Sequence, residues 1–333
     1  MTAVGASAEA VLKITDLSVA YGEGPEVVRS LDLTLAPGER LGLIGESGAG
    51  KSTVGLAVIG LLRSGMRITS GSVVLNGREL TGLSERDLRD TRGNDIALVY
   101  QDALAALDPV KSVRSQLDEA IRAHGDLDRA QREAVMLDAM AGAALPVEHL
   151  DSYPHELSGG LRQRVSIAMA LANKPSVLIA DEPTTALDVT TQSRVLAVLD
   201  ELVKSTGTAL ILITHDLGVV SACCDTTAVM YGGRIVESGP TQEVFQSPRH
   251  PYTQALVRSV TAIGRSDLER LPVIEGAPPA AEAIPSGCAF APRCERRDGD
   301  PLCVAESPTL AELVGAPHRK AACWHVETDG SDG

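Results

Sequence analysis

The octapeptide Gly45-Glu46-Ser47-Gly48-Ala49-Gly50-Lys51-Ser52 restricts the fold more than any other stretch of the chain. It fits the pattern Gly-x4-Gly-Lys-Ser. The glycines let the backbone bend so that several N–H groups point inward at phosphate oxygens, and a following helix adds its positive N-terminal end. Such a turn works between a strand that delivers it and a helix that closes it. Both are predicted here: Leu41 to Ile44 is an apolar run that stops at Gly45, and the residues after Lys51 read as a helix. The fixed positions alone arise by accident in about one or two of a hundred chains of this length, and the strand–loop–helix context lowers that further. Lys51 is expected to reach the β- and γ-phosphates, with the Ser52 hydroxyl on Mg²⁺ and Thr53 beside it. The expected ligands are ATP and Mg²⁺.

A second element supplies carboxylates. Val177 to Ala180 reads as a buried strand that ends in Asp181 and Glu182. A carboxylate at the carboxyl end of a strand can hold Mg²⁺, the role expected of Asp181, and a neighbour can orient and deprotonate the attacking water, the role expected of Glu182. Asp-Glu pairs also end ordinary solvated strands, so the phosphate loop upstream is what gives this one weight. Two further strand ends point to the same place. Ile96 to Tyr100 stops at Gln101, which can touch both Mg²⁺ and water, and Ala209 to Thr214 stops at His215, expected near the γ-phosphate.

The rest of the chain frames these motifs. Leu31, Leu33 and Leu35 alternate with Asp32 and Thr34, a period of two that marks a strand within the β-rich residues 11–43. Asn76-Gly77 between apolar residues signals a hairpin, and Ser84 with Asp87 looks like a capping box before a short helix. Residues 112–150 are rich in Ala and Leu with charges at helical spacing, and residues 162–174 read as a further helix. Strands separated by helices imply an α/β fold with a largely parallel sheet covered on both faces. Aromatic residues make up 2% of the chain, so the core must be aliphatic. The net charge of −14 argues against nucleic-acid partners. No apolar run is long enough to span a membrane, and Met1 to Ala10 lacks the basic start and apolar core of a secretory leader. Near residue 262 the composition shifts: Pro272, Pro278, Pro279, Pro285 and Pro292 mark a linker leading to a small tail domain.

Leu157-Ser158-Gly159-Gly160-Leu161, followed by Arg162-Gln163-Arg164, resembles the signature motif of ATP-binding-cassette (ABC) ATPases. The order of motifs is similar too. Tyr21 resembles the adenine-stacking aromatic, Gln101 the Q-loop, Asp181-Glu182 the Walker B pair, Thr185-Ala186-Leu187-Asp188 the D-loop and His215 the switch histidine. Leu161 departs from the Gln more common in the family, but peptide importers often carry a hydrophobic residue there. Ser247-Pro248-Arg249-His250-Pro251-Tyr252-Thr253 resembles the motif that follows the cassette in oligopeptide and dipeptide importers; Ile68 to Val73 and Gly287 to Cys294 fit the same group.

The resemblance implies a P-loop cassette with a RecA-like core, an antiparallel β subdomain and a helical subdomain near 104–165, all within residues 11–261. A Cys-containing tail domain is expected over 262–326, with disorder at 1–10 and 327–333. It implies ATP hydrolysis that powers import of peptides, or of nickel, glutathione or another small solute, from the cytoplasmic face of the membrane. It implies two transmembrane permeases, an extracytoplasmic solute-binding protein, and a second cassette, expected as a heterodimer partner. Ser158 and Gly160 would then touch ATP held by that partner. A soluble cassette working on ribosomes or DNA, and a regulatory subunit without turnover, are the rival readings. The acidic charge opposes the first, and intact Glu182 and His215 oppose the second.

Cys288, Cys294, Cys303 and Cys323 fall within 36 residues, a clustering that calls for metal. No Cys-x2-Cys pair occurs among them, so a zinc ribbon fits poorly. Four thiolates can hold a 4Fe-4S cluster, and some importer ATPases that resemble this tail carry one. Zinc, with help from His318 or His325, and four unligated thiols are the alternatives. Cys223-Cys224 reads as a packed helix pair.

Overall fold

The computed structural model of the chain describes residues 10–185, 187–261, 274–297 and 299–326. The termini expected to be disordered, apart from Ala10, lie outside the described residues, as do the linker 262–273 with its Pro272 and the D-loop Ala186.

Two sheets carry the chain. The first is antiparallel, with β1 (Leu12–Tyr21), β2 (Glu26–Leu35), β4 (Met66–Leu75) and β5 (Arg78–Glu79) in the order β2-β1-β4-β5. The alternation read in β2 is realised: Leu31, Leu33 and Leu35 are buried, and Asp32 and Thr34 are exposed. The hairpin β4–β5 turns at Asn76 (φ 49°) and Gly77 (φ 77°), left-handed values that suit an Asn-Gly turn.

The second sheet contains β3 (Arg40–Ile44), β6 (Ile96–Val99), β7 (Val177–Asp181), β8 (Ala209–Thr214), β9 (Thr226–Tyr231), β10 (Arg234–Pro240), β11 (Ala311–Leu313) and β12 (Ala316–Ala321). Its order is β11-β12-β10-β9-β3-β8-β7-β6. From β9 to β6 all pairings are parallel; β9–β10, β10–β12 and β12–β11 are antiparallel. The parallel strands β7 and β8 are apolar up to their last residues, Asp181 and Thr214, because both faces are covered. Leu178, Ala180, Leu210 and Leu212 pack into a core shared with the helices, while Val177, Ile179, Ile211 and Ile213 pack into the core under the antiparallel sheet.

The helical segment between β6 and β7 includes helices Val113–Arg122, Arg129–Gly142 and Gly159–Leu171. The last was expected at 162–174 but starts three residues earlier, because Ser158 caps it: the Ser158 hydroxyl accepts from the Leu161 N–H at 3.4 Å. Ser84 likewise caps the helix Glu85–Thr91.

The cysteine tail does not stand apart as the composition shift suggested. Its strands β11 and β12 extend the large sheet, with Glu237 and Ser238 of β10 opposite Ala321 and Lys320. About forty residues cannot bury a core of their own, so the tail borrows the cassette's. Phe290 joins the helical core, and Arg319 on β12 lies over Gly239 to reach Glu237 at 2.9 Å. That pair is buried, and Glu237 also accepts from the backbone N–H groups of Arg249 and His250.

Removing Arg319 would strand a buried carboxylate. Arg319→Ala should therefore lower the unfolding free energy by about 3 kcal/mol in urea titrations. A loss below about 1 kcal/mol would mean that the tail edge contributes little to the cassette's stability.

Candidate functional site

The large sheet brings the phosphate loop and the carboxylates to one edge. In the parallel register Ile44 lies opposite Thr214, and Asp181 lies opposite Ile213. Gly45, Glu182 and His215 therefore leave three adjacent strands at about one level, outside their carboxyl ends, where α/β sheets bind ligands.

Glycine is required in the loop by contact as well as by conformation. A Cβ on Gly45 would sit 2.2 Å from the carbonyl oxygen of Met230 on β9, and Gly50 holds φ 101°. Gly50 leads into the helix Lys51–Val58, whose N-terminus has no side-chain cap. Uncapped N–H groups and the helix dipole suit an anion. Lys51 is buried and folds back over the loop, its Nζ donating to the carbonyl oxygens of Gly45 at 2.8 Å and Glu46 at 3.0 Å. Burial lowers its pKa, and the carboxylates of Glu182, Asp181 and Glu46 oppose that shift.

The Ser52 hydroxyl donates to Asp181 Oδ1 at 3.0 Å, so the two residues expected on Mg²⁺ already meet. Burial raises the Asp181 pKa, with the Ser52 hydrogen bond opposing. One residue on, Glu182 has a left-handed backbone (φ 46°), an unusual conformation for this residue type that turns its side chain into a ring of donors. Its carboxylate oxygens face Gln101 Nε2 at 3.2 Å, Thr185 Oγ1 at 2.8 Å and His215 Nδ1 at 3.3 Å. Burial alone would raise its pKa, but the bonds from Thr185 and His215, with the nearby charge of His215 and Lys51, hold it below the usual value. Glu182 therefore stays ionised at neutral pH.

Ser47, Gly48, Gly50, Lys51, Ser52, Thr53, Gln101 and Glu182 line one pocket of about 330 Å³. Val27, Leu56, Arg63 and Met66 complete it. The sequence reading missed these four: they come from β2, β4 and the helix and turn after the loop, and no local motif marks them. Tyr21 is 62% exposed and lies opposite Met66 at the end of the β1–β4 ladder.

Gly45, Glu46 and Ala49 serve the loop from behind. The Glu46 N–H donates to the Tyr252 hydroxyl at 2.8 Å, and its carboxylate turns to Arg293. The expected His-Pro-Tyr motif is thus part of the loop's support. His250 within it is fully buried, its pKa lowered to about 3 by burial, so it stays neutral.

The signature residues lie elsewhere. Leu157 is buried, Leu161 half-buried, Gly159 packs near Leu187, and a Cβ on Gly160 would meet the Thr191 methyl at 2.3 Å. Asp188 caps the helix Val189–Thr206 by accepting from the Thr191 N–H and hydroxyl. None of these residues lines the pocket that holds Lys51.

In the tail, Cys288, Cys294, Cys303 and Cys323 line one tight cavity with Phe290, Trp324 and His325. His325 Nε2 lies 3.6 Å from the Cys303 sulfur and 3.2 Å from Asp300. His318 instead pairs with Glu243 at 3.0 Å. Cys223 ends the helix Leu217–Cys223 and Cys224 follows it in extended conformation, so the two are not both helical, though both pack against the core.

Residues 28–185 match the ABC transporter family, and residues 236–300 match the oligopeptide/dipeptide transporter C-terminal region. A dipeptide transport ATP-binding protein of Bacillus subtilis is 39% identical over 95% of each chain. An oligopeptide transport ATP-binding protein of Salmonella typhimurium is 44% identical over 86% of this chain and 87% of its own. Among solved structures, the dimeric cassette MJ0796 in a post-hydrolysis state with ADP and Pi superposes at TM-score 0.62 and 26% identity, over 69% of this chain and 98% of that one. The cassette cbiO1 of Clostridium perfringens, part of the complex cbiONQ, gives 0.64 at 28% identity over 72% and 91%. Relatives that run almost the full length of both chains, together with the motif geometry, establish that the chain belongs to the ATP-binding-cassette family of transporter ATPases, in the group with the oligopeptide/dipeptide C-terminal region.

Proposed function

We propose that the chain hydrolyses ATP in the pocket between the phosphate loop and Glu182, and that the energy drives import of peptides. The observation that carries the chemistry is the Glu182 carboxylate, ionised and held among Gln101, Thr185 and His215 beside the Ser52–Asp181 pair. Ser52, Asp181 and Gln101 are the residues that would hold Mg²⁺, whose charge would offset that developing on the transferred phosphoryl group. Glu182 orients the attacking water and accepts its proton; His215 steadies Glu182 and the γ-phosphate. Peptide cargo rests on relatives named as oligopeptide and dipeptide transport proteins.

In this reading the site is shared. Ser158 and Gly160 would close over ATP bound to a second cassette, a related but different chain, and Asp188 would line the contact. Support comes from the separation of the signature from its own pocket and from the dimeric MJ0796 cassettes. No helix among the described residues is long and apolar enough to cross a membrane. As a member of the transporter ATPase family, the chain works in this reading as a peripheral subunit on the cytoplasmic face of two permeases, fed by an extracytoplasmic solute-binding protein.

The tail is read as a 4Fe-4S site of Cys288, Cys294, Cys303 and Cys323. Four soft sulfur donors around one cavity suit iron–sulfur chemistry. Burial raises the Cys323 pKa to about 11, so a metal would have to draw off the thiol proton on binding. Asp300, Cys303 and His325 also lie within 4.8 Å of one another, a mixed set that would suit zinc better than iron–sulfur.

Glu182→Gln should lower ATP turnover by about a hundredfold or more while MgATP still binds, measured by phosphate release and nucleotide retention. Unchanged turnover would reject Glu182 as the base. Protein purified without oxygen should contain iron and acid-labile sulfide in equal amounts with visible absorbance; zinc alone, or neither metal, would reject the cluster.

A further inference from the structure

The second residue of the phosphate loop is a carboxylate, electrostatically the wrong group to place beside a polyphosphate. Glu46 is only about a quarter exposed, and its two oxygens receive Arg293 Nη1 at 2.6 Å and Nη2 at 3.0 Å. Arg293 is nearly buried, and its remaining donors are spent on fixing it in place. Nε donates to the Glu275 carbonyl, Nη2 shares its second hydrogen between those of Ile274 and Gly276, and Nη1 donates to the Tyr231 hydroxyl. The guanidinium is thus built into the fold as a planar fork aimed at one carboxylate.

Arg293 comes from far along the chain. It ends the short turn Ala291–Arg293 between Cys288 and Cys294, a turn closed by backbone bonds from Ala291 to Cys288 and from Cys294 to Ala291. Phe290 of the same turn packs edge-on against Tyr231 and tilted against Tyr252, and it is Tyr252 that accepts the Glu46 N–H. The Glu46 carbonyl accepts from Lys51. All three polar groups of Glu46 are therefore held, two of them by the tail or by rings that the tail packs against.

We propose that Arg293 is a positioning residue for ATP: it cancels the Glu46 charge and holds the Glu46 side chain behind the phosphate loop, so that the cysteine tail is part of the nucleotide site. This inference rests on the reading of Gly45 to Ser52 as the ATP-binding loop. With Arg293 absent, Glu46 is an uncompensated anion within the phosphate loop, and only its backbone bonds to Tyr252 and Lys51 remain. Binding suffers more than chemistry, because Glu46 does not touch Glu182 or its donors.

The test is MgATP affinity and ATPase kinetics in the full-length chain at fixed salt, with melting temperature recorded for each variant. Arg293→Ala should weaken MgATP binding roughly tenfold and raise KM, with kcat within about twofold of the parent. Arg293→Lys, which keeps the charge without the fork and leaves the tail seated, should recover part of the loss. Glu46→Gln should bind MgATP at least as well as the parent. Combined with Arg293→Ala it should restore affinity to within about threefold, the non-additivity expected of a charge pair. Lys51→Ala serves as the control for the loop. Loss of binding in Lys51→Ala with Arg293→Ala and Arg293→Lys both at parental affinity would overturn the inference alone. A double variant as weak as Arg293→Ala would overturn it too, because Arg293 would then act only by seating the tail. Parental binding in Lys51→Ala would bring down the reading of the loop, and this inference with it.

Discussion

The parallel register of β3, β8 and β7 is the constraint on which the site depends. Three neighbouring strands end within about a residue of each other, and each then delivers one part: the loop at Gly45, His215, and Asp181 with Glu182. Register in a parallel sheet is set by side chains that must fill both covered faces, and here alternate residues of β7 and β8 go to two separate cores. A slip of one residue would exchange those faces and also withdraw the carboxylates from the loop. Packing and catalytic geometry are consequently one requirement. The strain at Glu182 is affordable because its N–H is tied to the Ile213 carbonyl at 2.8 Å and its side chain has three partners.

The sequence made legible what is local. The loop, the strand-end carboxylates, Gln101 and His215 all announce themselves by residue type beside an apolar run, and the Asn76-Gly77 turn and the Ser84 cap do so by turn and capping chemistry. What could not be read are relations between distant segments. Arg63, Met66 and Val27 reach the pocket only because the antiparallel sheet stands over the loop. The tail looked independent because its composition changes, yet β12 completes a ladder whose other strand lies about eighty residues earlier. Arg293 meets Glu46 across a separation of 247 residues, and Tyr252 meets it across 206. No periodicity or motif spacing encodes such pairs. The signature is an intermediate case: Leu157 to Leu161 are recognisable as a motif, but the Ser158 cap and the placement of the motif outside its own pocket needed coordinates.

That distance changes what a single chain can do. The helix that begins at Gly159 presents an N-terminus, a natural place for an anion, outside the pocket lined by Lys51. Its one capping hydroxyl accepts only a long bond of 3.4 Å from the Leu161 N–H, so that N–H could turn to an anion at little cost. One chain thus carries a helix N-terminus outside its own pocket, the arrangement expected if two cassettes exchange such turns.

Charge ties these observations together. A chain with net charge −14 must still hold a polyphosphate, and long-range attraction cannot help it, because salt screens fields beyond roughly 8 Å. Attraction has to be local. Lys51 and Arg63 stand within the pocket, the loop and its helix contribute oriented N–H groups, and Asp181 and Glu182 are kept on the side where a divalent cation would balance them. Glu46 is the one carboxylate of the loop with no such partner inside the pocket. The fold answers with a guanidinium brought from the tail, buried, fully hydrogen-bonded and delivered from behind, where it neutralises the loop without occupying the space a phosphate needs. A tail that looks like an appendage in sequence is, in physical terms, the counter-charge of the phosphate loop.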